Sequence, residues 1–203
     1  MGGRNRFHQE NFLESDEAFK LFDNFNKFDF FKNFMNDLDL SSKESNVNFK
    51  LNENFSSIEN KRKDNLLNKI RKKIFHKSNS KKIFLEMDYS IGRTGYNREP
   101  HHDAPNKAMV FLLYLNSFEK IEEGGALEIF KYKENTKKRY LQNPDINDLE
   151  LNKKMYPKQG QLIVFLSCPN SIHGVEFFKP LNHNKRYFVY GSYGGYYNLK
   201  WSR

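Results

Sequence analysis

The chain has 203 residues, with 34 Lys or Arg against 25 Asp or Glu and a single cysteine, Cys168. That length suits one compact domain with a sizeable core, and one cysteine excludes an internal disulfide framework. The formal charge of +9 resembles a nucleic-acid signal only until it is located: residues 61–82 hold ten basic residues and one acid, Asp64, and the rest of the chain balances at 24 of each.

No apolar run approaches the roughly 20 residues that a membrane helix requires. The opening MGGRNRFHQE lacks both the apolar core of a secretory signal and the hydroxyl residue of a myristoylation signal. The expectation is a cytoplasmic protein with no membrane partner. For the basic window, a solvated helix face is the favoured reading and a patch for an anionic partner the competing one.

In chain order, residues 1–14 read as a polar lead-in. Residues 15–37 read as a helix, with Ser15 as its cap and Phe19, Phe22, Phe30, Phe31 and Phe34 as core anchors at helical spacing. Residues 38–55 are rich in Ser and Asn and read as loop. Ser56-Ser57-Ile58-Glu59 has the form of a capping box. Beyond it Leu66, Leu67, Ile70 and Ile74 predict an amphipathic helix over 61–77, with its basic residues outward.

From residue 81 the period changes to 2. Ile83, Leu85, Met87, Tyr89 and Ile91 alternate with Phe84, Glu86, Asp88 and Ser90, which predicts a strand with Tyr89 inward. Further strands are predicted at 108–115, 126–132, 161–167, 173–178 and 186–193, punctuated by Gly, Pro and Asn. Gly124-Gly125 reads as a tight turn, and 133–156 as a long polar insertion, a candidate lid or binding loop. Short strands after helices, with no helices between them, predict an α+β chain with a mainly β core of sandwich or jelly-roll type. Residues 1–80 form a helical extension packed on a core of residues 81–203, one structural domain overall.

The chemistry concentrates at Pro100-His101-His102-Asp103. On extended backbone side chains alternate, so His101 and Asp103 share a face and His102 turns away. An imidazole and a carboxylate on one face are two ligands for a borderline metal, and His173, after the apolar strand 161–167, is the best third. Two histidines and a carboxylate on one side of a metal are the signature of non-haem Fe(II) oxygenases.

The segment Gly95-Tyr96-Asn97-Arg98-Glu99-Pro100-His101-His102-Asp103 resembles the prolyl 4-hydroxylase-like branch of the Fe(II)/2-oxoglutarate-dependent oxygenase superfamily. The resemblance continues through Leu113-Tyr114-Leu115-Asn116, Gly124-Gly125-Ala126-Leu127 and Pro157 to Phe165, and ends on His173-Gly174-Val175 and Arg186. It implies a double-stranded β-helix (cupin-like) core. It implies Fe(II) on His101, Asp103 and His173, and Arg186 pairing with the far carboxylate of 2-oxoglutarate, for which a planar guanidinium fork is suited. The implied reaction consumes O2 and 2-oxoglutarate, releases succinate and CO2, and hydroxylates a substrate of peptidyl or amino-acid-like type.

Two departures leave alternatives open. Arg186 follows His173 by a longer interval than the family shows, with 179–184 as an insertion, so Lys185 competes as the anchor; strand alternation allows only one of them. Phe188 stands where some relatives carry a hydroxyl residue, so the second 2-oxoglutarate contact falls to Tyr89 or Tyr190, each equally readable as a core aromatic. Cys168 reads as a small buried hydrophobe. Oxidative demethylation of nucleic acid is the competing activity, motivated by the basic window, and a non-enzymatic metal-binding jelly roll is the competing non-enzyme. Nucleic acid is not favoured, because the basicity is local.

Overall fold

A computed structural model of the chain describes residues 4–8, 16–44, 50–51, 55–59, 82–117, 123–136, 143–168, 170–195 and 201–202. The amphipathic helix expected over 61–77 lies outside the described residues, as does Ser15. In chain order the elements are β1 (Arg4–His8), α1 (Asp16–Phe25), α2 (Phe28–Glu44), β2 (Lys50–Leu51), β3 (Ser57–Glu59) and β4 (Lys82–Gly92). Then follow β5 (Arg98–His101), β6 (Lys107–Tyr114), β7 (Leu127–Tyr132), β8 (Leu149–Met155), β9 (Leu162–Leu166), β10 (Ile172–Val175), β11 (Arg186–Gly194) and β12 (Trp201–Ser202).

The strands build a double-stranded β-helix. The larger sheet runs β1-β4-β11-β6-β9, with β3 also paired to β4, and the smaller runs β5-β10-β7-β8. Direct cross-strand partners share a face, so the registers sort the side chains. Ser90 opposes Phe188 and Phe188 opposes Tyr114; one residue along, Tyr89 opposes Val189 and Val189 opposes Leu113. The first set faces the small sheet. There Leu112, Tyr114 and Phe188 meet Leu127 and Val175 in one apolar cluster between the layers. The second set faces the helices, where Ile83, Leu85, Met87, Phe111, Val189 and Tyr193 pack with Phe22, Phe25 and Phe31. The large sheet is therefore covered on both faces.

Several expectations are corrected. The single helix over 15–37 is two, α1 and α2, joined at Asn26 and Lys27. Phe25 stacks on Phe111 with centroids 4.4 Å apart, Phe31 lies 5.0 Å from Tyr193, and the Tyr193 hydroxyl donates to the Phe25 carbonyl at 2.5 Å. The turn between the helices lets both rings reach the sheet. Residues 38–44, expected as loop, continue α2, and Arg4–His8, expected as lead-in, is a strand antiparallel to β4. The capping-box pattern at Ser56–Glu59 does not start a helix: Ser57–Glu59 pairs in parallel with Lys82–Phe84. Sheet pairing overrides the local signal there. The insertion at 133–156 contains β8, which pairs with β7 and extends the small sheet. The first 80 residues thus contribute strands as well as helices. The remaining strands lie close to their expected positions, and Gly124 and Gly125 hold the positive φ expected of them, 67° and 76°. Among the described residues no helix is long and apolar enough to cross a membrane.

Gly191 leaves no room for a side chain in the helix-side core. A Cβ there would stand 1.9 Å from Cζ of Phe111, a fully buried ring. Gly191→Ala should therefore lower stability by about 1–3 kcal/mol, the usual effect of overpacking, as read from the denaturant midpoint. An unchanged midpoint would show that the Phe111 ring has room to move.

Candidate active site

The centre forms where the small sheet meets the chain crossing to the large one. His173 on β10 is the direct cross-strand partner of His101 on β5, and their ring centroids lie 4.5 Å apart. Asp103 follows β5 by two residues and brings Oδ2 to 3.6 Å from His173 Nε2. The ligand atoms that His101, Asp103 and His173 can offer all lie within 4.8 Å of one another. His102 turns the other way, with Nε2 3.2 Å from the Tyr132 hydroxyl. The alternation expected of the triplet is thus what the backbone adopts.

The imidazole protons are set by the backbone. His101 Nδ1 lies 2.8 Å from the Glu99 carbonyl and His173 Nδ1 lies 3.2 Å from that of Ser171. A carbonyl only accepts, so each Nδ1 carries the proton and each Nε2 presents its lone pair inward. Arg98 Nε donates to His101 Nε2 at 3.5 Å, a long and weak hydrogen bond that a metal at Nε2 would replace. Burial drives the His173 pKa down to about 4, against the opposing pull of Asp103, and burial also lowers that of His101. Both rings are therefore neutral at pH 7, the state in which they bind metal. Burial would raise the Asp103 carboxyl, but the ammonium of Lys107 and the nearby imidazoles outweigh it, and the group lies below the usual carboxylate range.

This donor set fits a divalent cation. Asp103 Oδ2 is buried and has no hydrogen-bond partner among the described residues, although it faces two imidazole lone pairs. A buried carboxylate oxygen left so is costly, and a cation held by the three donors removes the cost.

Arg186 lies at the start of β11 and is 1% exposed, whereas Lys185 is exposed. The clamp that sets this phase is Asn116, just beyond β6. Its amide donates to the Lys185 carbonyl at 2.8 Å and accepts from the Tyr187 amide at 2.9 Å. The extra residues before Arg186 are taken up by a single 3-10 turn, Leu181–His183. Arg186 Nη2 donates to the Tyr114 hydroxyl at 3.0 Å, and its guanidinium carbon lies 4.8 to 5.6 Å from the ring centroids of Phe188, Tyr114 and Tyr96. Nε and Nη1 are buried without a hydrogen-bond partner among the described residues. An interior guanidinium with two open donors and aromatic walls has the chemistry to receive a carboxylate.

The two tyrosines proposed from sequence part company. Tyr190 shares the face of Arg186, four residues or about 13 Å along the strand, and its hydroxyl donates to Asp103 Oδ1 at 3.3 Å. Tyr89 lies on the opposite face and packs in the helix-side cluster. Its alternation marks a buried side of β4, but both sides are buried, and the side it occupies is not that of Arg186. Sequence reasoning passed over Tyr114 and Lys107. Tyr114 sits in the quoted Leu113–Asn116 segment and shares the inward phase of Leu112. Lys107 is the one cation heading an otherwise apolar strand; its Nζ donates to Asp103 Oδ1 at 3.1 Å and to the Tyr190 hydroxyl.

Solved structures similar to this chain include a prolyl-4-hydroxylase from Pseudomonas putida, at 19% identity over 55% of this chain and 51% of that one, with a TM-score of 0.39. A prolyl hydroxylase from Trichoplax adhaerens, in complex with a hypoxia inducible factor oxygen degradation domain peptide fragment, matches at 17% identity over 64% of this chain and 55% of that one, with a TM-score of 0.40. HygX from Streptomyces hygroscopicus, with nickel and 2-oxoglutarate bound, matches at 12% identity over 56% of each chain, with a TM-score of 0.37. The chain spans about half the length of these structures. No functionally curated protein matches it. The family model of the 2OG-Fe(II) oxygenase superfamily, whose cofactors are Fe(II) and 2-oxoglutarate, matches residues 87–192. That is more than half of the 203 residues and spans His101, Asp103, His173 and Arg186. The chain belongs to the 2OG-Fe(II) oxygenase superfamily.

Proposed function

We propose that this chain is an Fe(II)- and 2-oxoglutarate-dependent dioxygenase that hydroxylates a peptidyl or amino-acid-like substrate and releases succinate and CO2. The observation that carries the reading is the pairing, inside one β-helix, of a two-histidine, one-carboxylate cluster with the buried, carboxylate-ready Arg186. The substrate class rests on the order of the sequence segments that resemble the prolyl-hydroxylase-like branch.

His101, Asp103 and His173 would hold the metal from one side, leaving its other positions for O2 and a chelating keto acid. Fe(II), when bound, supplies the redox chemistry that couples decarboxylation of 2-oxoglutarate to oxidation of a substrate C–H bond. The protein's own part is binding and orientation. Arg186 and Tyr114 would take the far carboxylate, the one not needed at the metal. Phe165, whose ring centroid lies 4.6 Å from that of His173, and Phe188 keep the interior between the sheets apolar. The neutral histidines keep their lone pairs available at physiological pH.

Replacing His101, Asp103 or His173 by Ala should abolish succinate release and weaken Mn(II) binding strongly, while His102→Ala should do far less. If His102→Ala removes metal binding and His101→Ala does not, the ligand set is wrong. Arg186→Ala should raise the 2-oxoglutarate concentration for half-maximal rate by on the order of 30-fold or more, equivalent to about 2–5 kcal/mol for truncating one partner of a buried charge pair. Metal affinity should change little. Arg186→Lys should recover only part, because a point charge replaces a fork. A large defect in Lys185→Ala with Arg186→Ala near wild type would refute this assignment. The substrate class is tested by succinate release with proline-containing peptides and free amino acids: stimulation by either supports it, and stimulation by methylated DNA alone would contradict it.

A further inference from the structure

The two oxygens of Asp103 are in different chemical states. Oδ1 accepts from Lys107 Nζ at 3.1 Å and from the Tyr190 hydroxyl at 3.3 Å, and Lys107 also donates to Tyr190. Oδ2 accepts from nothing among the described residues and lies 3.6 Å from His173 Nε2. The pair is well shielded, with side-chain exposures of 17% for Lys107 and 7% for Asp103. Lys107 Nζ lies 4.9 Å from the centroid of the Tyr190 ring.

Building on the metal-site reading above, we propose that Lys107 and Tyr190 are positioning residues that commit Asp103 to binding the metal through Oδ2 alone. A carboxylate can bind a metal with one oxygen or two. With two donors on Oδ1, two-oxygen binding would require breaking a shielded ion pair and a hydrogen bond. The consequence concerns the open positions. A second oxygen from Asp103 would compete with O2 and the keto acid for the positions that the three protein ligands would leave open.

The placement of the residues supports the role. His101 and His173 belong to the small sheet, whereas Lys107 heads β6 and Tyr190 lies on β11, both in the large sheet. Asp103 sits on the connection between them, which has no strand pairing of its own. Without the tie to Lys107 and Tyr190, its carboxylate would be held only by the metal.

The experiment titrates the metal-free protein with Mn(II) by calorimetry, records the visible spectrum of the Co(II)-loaded protein, and follows thermal unfolding without metal. Lys107→Met, which keeps most of the length of the side chain but not its charge, should weaken Mn(II) binding by roughly 10–100-fold, the usual effect of removing a partner of a metal ligand. Its Co(II) spectrum should change as Oδ1 is released. Lys107→Arg should restore binding to within a few-fold, and Tyr190→Phe should show a smaller loss and the same direction of spectral change. A merely structural role would lower thermal stability and leave the Co(II) spectrum untouched. Mn(II) affinities and Co(II) spectra equal to wild type in Lys107→Met and Tyr190→Phe would overturn the proposal, as would Lys107→Arg binding as weakly as Lys107→Met. Should Lys107→Met fail to fold, Tyr190→Phe decides on the same two readouts. Failure of the metal-site reading itself looks different: His101→Ala would then bind Mn(II) as wild type does.

Discussion

The architecture turns on the full charge of Arg186, held inside an apolar interior. A guanidinium at 1% exposure with two donors unsatisfied among the described residues cannot be explained by packing. It is tolerated because rings of Tyr96, Tyr114 and Phe188 surround it and one hydroxyl accepts from it, and because it sits on β11, between β4 and β6. A strand paired on both edges cannot slip by one residue without turning every side chain over. Asn116 reinforces that register by gripping the backbone on either side of the arginine. The phase that puts Arg186 inward also puts Tyr190 inward, beside the carboxylate of Asp103.

The candidate metal cluster follows from a second register, that of β5 on β10, which sets His101 opposite His173. Neither register alone makes a site. One brings two imidazoles together on the small sheet, beside Asp103 on the connection that follows, the other sets a buried guanidinium on the large sheet, and the fold brings both to the interior that the sheets share. The helices α1 and α2 act at one remove: they cover the outer face of the large sheet, so that β4, β11 and β6 are packed from both sides.

What was legible in the sequence was what strand periodicity decides locally. The shared face of His101 and Asp103, the opposite turn of His102, and the opposite phases of Arg186 and Lys185 all follow from a period of two, although the period alone does not say which of the last two faces inward. Tyr89 marks the boundary of that method. Alternation shows that one side of β4 is buried; it cannot show which of two buried sides faces the site when helices cover the other. Ser57–Glu59 fails for a related reason, since a capping pattern is local and its pairing with β4 is not. β8 was missed because an exposed edge strand carrying Glu150, Lys153 and Lys154 reads as loop. Lys107 carried a signal, a lone cation heading an apolar strand, but its partner Tyr190 lies 83 residues away and only the fold joins them.

The central claim is that one interior holds a metal and a dicarboxylic keto acid together, one end on the metal and the other on Arg186. The most direct test is a calorimetric titration of 2-oxoglutarate into the protein with and without Mn(II), in the absence of O2. The account predicts saturable one-to-one binding to the Mn(II)-loaded protein and binding at least an order of magnitude weaker without metal, because one end of the ligand then has no partner. Equal affinity with and without Mn(II), or no binding in either case, would contradict it.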